Sequence, residues 1–155
     1  MPCLFCRIAT GELDAVVVYE DSDVVAFLDI SPIRPGHTQI IPRRHIETFE
    51  QLSPTLAAHM LDLGQRLARR MKAVYSVERV AFLFTGGDVP HAHAHVVPMH
   101  ATTDITSARY VVEPTVLPLS AEHLKTDRET LLCVRAELAF SADGDQEAGV
   151  RTPAG

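Results

Sequence analysis

Three histidines alternate with small apolar residues in His91-Ala92-His93-Ala94-His95, and Val96-Val97 follow. In an extended chain a period of two puts the three imidazoles on one face, about 6.6 Å between successive ones. Ala92, Ala94 and Val96 then turn to the other face, into a core. Single histidines are ordinarily solvated or quietly hydrogen-bonded; three on one strand face behind a glycine turn are hard to explain as packing. Two chemical uses fit. Imidazole is the commonest metal ligand, so His91, His93 and His37 could form a three-histidine centre. Alternatively, one imidazole is a nucleophile that splits a difficult transfer into two easier steps while its neighbours hold a phosphate. Phosphoryl-type transfer asks chiefly for in-line placement and donors to the equatorial oxygens. The Gly86-Gly87-Asp88 turn could offer backbone amides for that purpose. Periodicity leaves both uses open.

A second group with chemistry is Cys3-x-x-Cys6. It could be a redox pair, half of a metal site, or two incidental small residues. A thioredoxin-like pair follows a strand and opens a helix, whereas this one sits near residue 1 of the sequence. Two thiolates and two imidazoles make a tetrahedral zinc site, of which the spacing supplies only the first half. Cys133 reads as a small buried or half-buried apolar residue. His59, His100 and His123 receive no role.

These residues need a scaffold, and the first half of the chain reads as short strands between turns. Val16–Tyr19 is a β-branched and aromatic run ended by the turn cluster Glu20-Asp21-Ser22-Asp23. Val24–Ile30 is almost wholly apolar, which predicts a strand covered on both faces, with Asp29 near its end. Pro32, Pro35 and Gly36 make a loop before an extended segment His37–Ile41 bounded by Pro42. Ser53-Pro54 is a helix start, and Leu56, Met60, Leu63, Leu67, Met71 and Val74 form the apolar stripe of a helix over 53–74 lying on a sheet. Arg66, Arg69, Arg70 and Lys72 suit the end of that helix better than they suit a binding patch. Strands are expected at Val80–Phe84 and His91–Val97. Residues 101–118 read as a long loop with at most a short strand at Tyr110–Val112. A second helix is expected from Ser120 or nearby, with Leu124, Leu131, Val134 and Leu138 inward. The tail 141–155, rich in Gly, Ala, Asp and Pro, is expected to be mobile. The fold class is α+β: an antiparallel sheet of about five strands with a long helix and a C-terminal helix, one domain over 1–140.

Composition narrows the function. The chain has 155 residues, 46% of them hydrophobic and 22% charged, enough for one domain with its own core. Lys plus Arg is 14 against 20 for Asp plus Glu, a net charge of −6. That balance argues against broad binding to nucleic acid or to anionic membranes, although a local site can still hold a phosphate. Three cysteines do not make a disulfide framework. No apolar run approaches the ~20 residues that cross a bilayer, and MPCLFCRIATGE lacks the pattern of a secretory signal, so a cytoplasmic protein is expected.

The whole pattern resembles the histidine-triad, or HIT, family. The resemblance rests on His91, His93, His95, Val96 and Val97, with Cys3-Leu-Phe-Cys6, Ala26-Phe-Leu-Asp29-Ile and Pro35-Gly-His37-Thr-Gln-Ile-Ile-Pro-Arg-Arg-His45 in the matching order. It covers residues 3–100 and is nearer to the small nucleoside phosphoramidase and dinucleoside polyphosphate hydrolase branch than to the nucleotidyl-transferases. It implies a HIT-like fold, a homodimer, and cleavage at the α-phosphate of a purine nucleotide conjugate. His93 would attack phosphorus to form a nucleotidyl-histidine, which water would hydrolyse. His95 and His37 would support the phosphate, Asp29 would accept hydrogen bonds from the ribose, and Ile30 and Phe27 would line the base pocket. Phe5 and Ile8 fit either core or pocket wall. Family members bearing the cysteine pair further imply structural zinc on Cys3, Cys6, His45 and His91. One departure stands out: Gly87 or Asp88 occupies the place of a neutral phosphate donor, and an ionised aspartate cannot donate. The rival readings are a nucleotide-binding or interaction protein with vestigial catalysis, and a metal-dependent enzyme built on the histidine cluster.

Overall fold

A computed structural model describes residues 3–86, 89–101, 103–105 and 126–140. Chain order is a short helix α1 (Leu4–Ala9), strands β1 (Val17–Glu20), β2 (Val24–Leu28) and β3 (Thr38–Pro42), a 3₁₀ turn Phe49–Gln51, helix α2 (Pro54–Tyr75), strands β4 (Arg79–Thr85) and β5 (His93–Met99), and helix α3 (Arg128–Leu138). The strands form one antiparallel sheet in the order β1-β2-β3-β5-β4. The expected α+β fold, a five-stranded antiparallel sheet with a long helix and a C-terminal helix, is met.

The two faces of the sheet are different in kind. Val24, Ala26 and Leu28 of β2, Ile40 of β3, and Ala94 and Val96 of β5 pack under Met60, Leu63, Leu67 and Met71 of α2. Alternation sends Val25, Phe27 and Ile41 to the opposite face, where Phe5 and Ala9 of α1 cover them. Hence all of β2 is buried, as its unbroken apolar run requires. Ser53 caps α2 by accepting from the Leu56 amide, with Pro54 in the first turn. The stripe runs out at Val74, which is exposed. Arg66 lies over the rings of Tyr19 (5.3 Å) and Phe140 (4.6 Å), and Arg70 donates to the Glu137 carbonyl. Part of the basic cluster thus ties α2 to α3 rather than ending in solvent.

Two element starts and the burial of one residue differ from the sequence reading. The last helix starts at Arg128, because Asp127 caps it by accepting from the Thr130 amide and residues 126–127 are not helical. Leu131, Val134 and Leu138 are its buried positions, and Cys133 is exposed rather than buried. The strand expected from His91 begins at His93, because the Ala92 amide donates to Ile46 and the His91 amide to Val89 instead of to a neighbouring strand. Leu124, Tyr110–Val112, Gly87, Asp88, His123 and the tail 141–155 lie outside the described residues. Among the described residues no helix is long and apolar enough to cross a membrane.

Candidate active site and metal-ligand cluster

The face opposite α2 carries the polar residues. In the sheet register Phe27 stands beside Gln39, Gln39 beside His95, His95 beside Leu83, and His93 beside Thr85. Side chains directly opposite in an antiparallel pair share a face. His93 and His95 therefore project with Gln39 and Thr85 onto one surface. His37 arrives from the loop before β3. Gly36 makes that approach possible: its φ is +90°, and a Cβ there would lie 2.6 Å from Tyr75 Cε2.

One hydrogen-bonded chain connects these groups, and its direction follows from the proton inventory of neutral imidazole, one donor and one acceptor nitrogen. The Ile33 amide donates to His37 Nδ1 at 3.2 Å, which leaves the His37 proton on Nε2. That proton goes to His95 Nδ1 at 2.8 Å. His95 then carries its own proton on Nε2, 2.7 Å from Thr85 Oγ1. The hydroxyl proton is left for His93 Nε2 at 3.2 Å, and His93 Nδ1–H donates to the His91 carbonyl at 2.6 Å. Burial pushes the His37 imidazole below its ordinary pKa, with Asp29 pulling the other way, which agrees with a neutral ring.

Asp29 follows Phe27 on the same face. Its Oδ1 accepts from the Ser31 amide at 2.7 Å and its Oδ2 from Gln39 Nε2 at 2.6 Å, while His37 Nδ1 is 3.7 Å away. The Gln39 Oε1 atom is buried without a partner. Ile30, next in the chain, is 64% exposed, whereas Phe27 is 5% exposed and packs edge-on to Phe5 at 5.7 Å. Phe5 also packs edge-on to His93 at 5.1 Å and to His91 at 6.0 Å. It is core, and Ile8 packs beside it. The loop from Asp29 to His37 is fastened from behind. Arg34, whose carbonyl accepts from the His37 amide, makes a bidentate pair with Asp104 at 2.8 Å on both arms. The Arg34 guanidinium holds the Asp104 carboxyl down at about 2, although burial opposes it.

His91 belongs elsewhere. Its Nδ1 is 3.4 Å from Cys3 Sγ and 3.6 Å from Cys6 Sγ, and His45 Nδ1 is 3.3 Å from Cys6 Sγ. The four ligand atoms all lie within 4.8 Å of one another. Bond lengths of about 2.3 Å to sulfur and 2.1 Å to nitrogen at a tetrahedral centre put S and N about 3.6 Å apart. The observed spacings and the two-thiol, two-imidazole donor set fit zinc. Further support comes from His91 Nε2–H, which donates to the Pro42 carbonyl at 2.9 Å and so aims Nδ1 at the cluster. Burial, and then Cys3 beside it, push the Cys6 thiol up; a divalent cation is the charge that offsets both. Asp29, His37 and His95 also lie close enough to suggest a metal site. There, however, Asp29 faces one nitrogen of His37 and His95 the other, and internal hydrogen bonds already engage them.

All of Asp29, His37, His93 and His95 thus come to one surface, and Cys3, Cys6, His45 and His91 to one cluster, with Ile30 at the open rim. His93 joins neither ligand group. Sequence reasoning missed Thr85, Gln39, Arg34 and Asp104. Gln39 alone carried a signal, as a long polar residue within a predicted strand, beside Ile40 and Ile41. Of the residues given no role, His59 pairs with Asp21 at 2.7 Å and the His100 amide donates to Asp104.

The HIT domain profile matches residues 10–102. An uncharacterised HIT-like protein of Mycobacterium tuberculosis is 38% identical over 103 residues, 63% of this chain and 72% of that protein. An adenosine 5′-monophosphoramidase of Schizosaccharomyces pombe is 31% identical over 103 residues, 63% of this chain and 74% of that protein. The crystal structure of a Zn-bound histidine triad family protein from Mycobacterium smegmatis shares the fold with a TM-score of 0.66 and 29% identity, over 89% of this chain and 94% of that one. With a profile match over more than half its length, and with sheet, helices and histidine strand arranged as described, the chain belongs to the HIT family.

Proposed function

We propose that this chain hydrolyses a purine nucleotide conjugate, a nucleoside phosphoramidate or a dinucleoside polyphosphate, at its α-phosphate through a covalent histidine intermediate. The observation that carries the reading is the tautomer of His93. Its Nδ1–H is held by the His91 carbonyl at 2.6 Å, so the lone pair lies on Nε2, on the surface shared with Asp29 and His95 and outside both metal-ligand groups. A fixed, neutral, metal-free imidazole is what nucleophilic attack requires. The likeness to an adenosine 5′-monophosphoramidase supports the substrate class.

In the first step the Nε2 lone pair forms a bond to the α-phosphorus while the bond to the leaving group breaks and its electrons depart with that group. In the second step water attacks phosphorus, the N–P bond breaks, and its electron pair returns to Nε2. The products are the nucleoside monophosphate and the protonated leaving group: of the two protons of the attacking water one stays on the phosphate, and the other makes up the proton that the leaving group takes as it departs. His95 supports the phosphate directly. His37 is only 3% exposed with both ring nitrogens engaged, so its support passes through His95. The fixed carboxylate of Asp29 receives the ribose hydroxyls, with Ile30 against the base and Phe27 beneath. Cys3, Cys6, His45 and His91 would hold zinc, whose four protein ligands leave no open position; its chemistry there is cross-linking. The likeness to a Zn-bound relative supports that assignment. The metal-dependent rival needs His93 among the ligands, and the grouping of ligand atoms disfavours it.

The test is to mix the protein with adenosine 5′-phosphoramidate or diadenosine polyphosphates, quench early, and locate bound nucleotide by mass spectrometry. An adduct on His93 is expected. His93→Ala should lower turnover by roughly 10⁴-fold or more, in line with loss of a nucleophile, and still bind AMP. Undiminished turnover in that variant ends the proposal.

A further inference from the structure

We infer that the Thr85 hydroxyl is a switching donor: it holds the His93 lone pair in the resting site and passes to a phosphoryl oxygen when substrate arrives. The inference rests on the reading that His93 attacks phosphorus and adds a residue to that site. Thr85 ends β4 directly across from His93, so its side chain rises between the two imidazoles, 3.2 Å from His93 Nε2 and 2.7 Å from His95 Nε2. A hydroxyl has one proton to give and can accept two. The chain that starts at the Ile33 amide leaves His95 Nε2 as an N–H, so Thr85 accepts there and cannot turn its proton toward His95. The proton is thereby aimed at the nucleophilic nitrogen.

Two consequences follow from that aim. Before substrate binds, the hydrogen bond orients the lone pair. Once a phosphorus atom comes within reach of Nε2, its oxygens come within reach of a hydroxyl beside the same nitrogen. The proton exchanges a neutral nitrogen acceptor for an anionic oxygen, the stronger partner, and the lone pair is released as the phosphate is gripped. Only the hydroxyl proton rotates, and it does so as substrate binds; the oxygen that carries it is already in place when charge develops on the phosphoryl group. The β-branched side chain on a strand is held at χ1, which suits such a donor. Gly87 and Asp88, the positions expected from sequence to supply it, are not needed for this contact.

Thr85→Val removes the hydroxyl and keeps shape and strand preference; Thr85→Ser returns the hydroxyl. With adenosine 5′-phosphoramidate, Thr85→Val should slow formation of the His93 adduct by about 100-fold, the loss typical of one such donor. Thr85→Ser should recover most of that loss, and the melting temperatures of all three proteins should agree closely. AMP should bind at least threefold more weakly to Thr85→Val. Adduct formation by Thr85→Val within threefold of wild type, while His93→Ala forms none, overturns the switch and leaves the nucleophile standing. If wild type itself forms no adduct, the hydrolysis reading fails first. The AMP measurement then decides alone: weaker binding supports the Thr85 contact, and equal affinity overturns it.

Discussion

His91 and His93 are two residues apart, both touch Phe5, and yet they present opposite nitrogens. His91 gives its Nε2–H to the Pro42 carbonyl and offers Nδ1 to two thiols, whereas His93 gives its Nδ1–H to the His91 carbonyl and offers Nε2 to Thr85. A main-chain carbonyl selects the tautomer in each case. The difference teaches that identical side chains on one strand are divided between cross-linking and reaction by the backbone group behind each ring. Imidazole chemistry follows the nitrogen left over.

Removing metal tests this division most severely. If zinc joins α1 to the loop at His45 and to the residues just before β5, its loss removes a cross-link worth about 3 kcal/mol, the size of a disulfide's contribution. At 2–4 °C per kcal/mol, the melting temperature should fall by roughly 10 °C in a chelator titration, and Cys3→Ala should reproduce the fall. At a temperature where the metal-free protein is still folded, it should form the His93 adduct more slowly but still form it. A metal-free protein with intact fold and AMP affinity that forms no adduct would give zinc a part in the chemistry.

A smaller effect is expected from the fastening of the reactive side. Asp104→Asn leaves Arg34 without its charged partner and should cost about 1–3 kcal/mol in urea denaturation at pH 7. The folded Asp104 value, about 2, lies below the ordinary 3.8. The carboxylate's contribution is therefore complete above the ordinary value and is lost as pH falls from there through about 2. The gap between variant and wild type should narrow across that window; a constant gap would assign the effect to packing. The loop held is the one bearing His37, so the metal cluster should be unaffected.

The smallest effect concerns Gln39, which donates to Asp29 on the reactive side only. Gln39→Leu should raise KM about three- to tenfold with kcat nearly unchanged, the pattern of lost uniform binding. It should also reduce the preference for ribose over 2′-deoxyribose. Equal changes in kcat would mean that Gln39 reaches the phosphate end of the site.

What could be read in advance had a local cause. The buried strand at Val24–Leu28 follows from five apolar residues in a row, and α2 from its stripe plus Ser53-Pro54. The histidine face follows from period two, although the strand starts two residues late because the His91 and Ala92 amides bond to loop carbonyls. Helix α1 was illegible because it has six residues, no side-chain cap and only Phe5 and Ala9 buried. Nothing so short is stable alone, and tertiary contacts hold it. Thr85 read as the residue after a strand ending at Phe84, whereas β4 runs through it, and its place between His93 and His95 depends on the β4–β5 register. The Arg34–Asp104 pair spans 70 positions and leaves no periodic trace.

The carbonyl of residue 91 also turns spacing into a mechanical requirement. It accepts from the ring two positions later and belongs to a residue whose own ring faces the thiols. The second ring is fixed by the pairing of β5 with its neighbours, so one residue inserted between 91 and 93 would pull either the first ring away from the thiols or the carbonyl away from that second ring. Deleting one would leave no peptide group where its proton is caught. The interval is thus a ruler, and a chain can change much of the surrounding surface more safely than it can change that length.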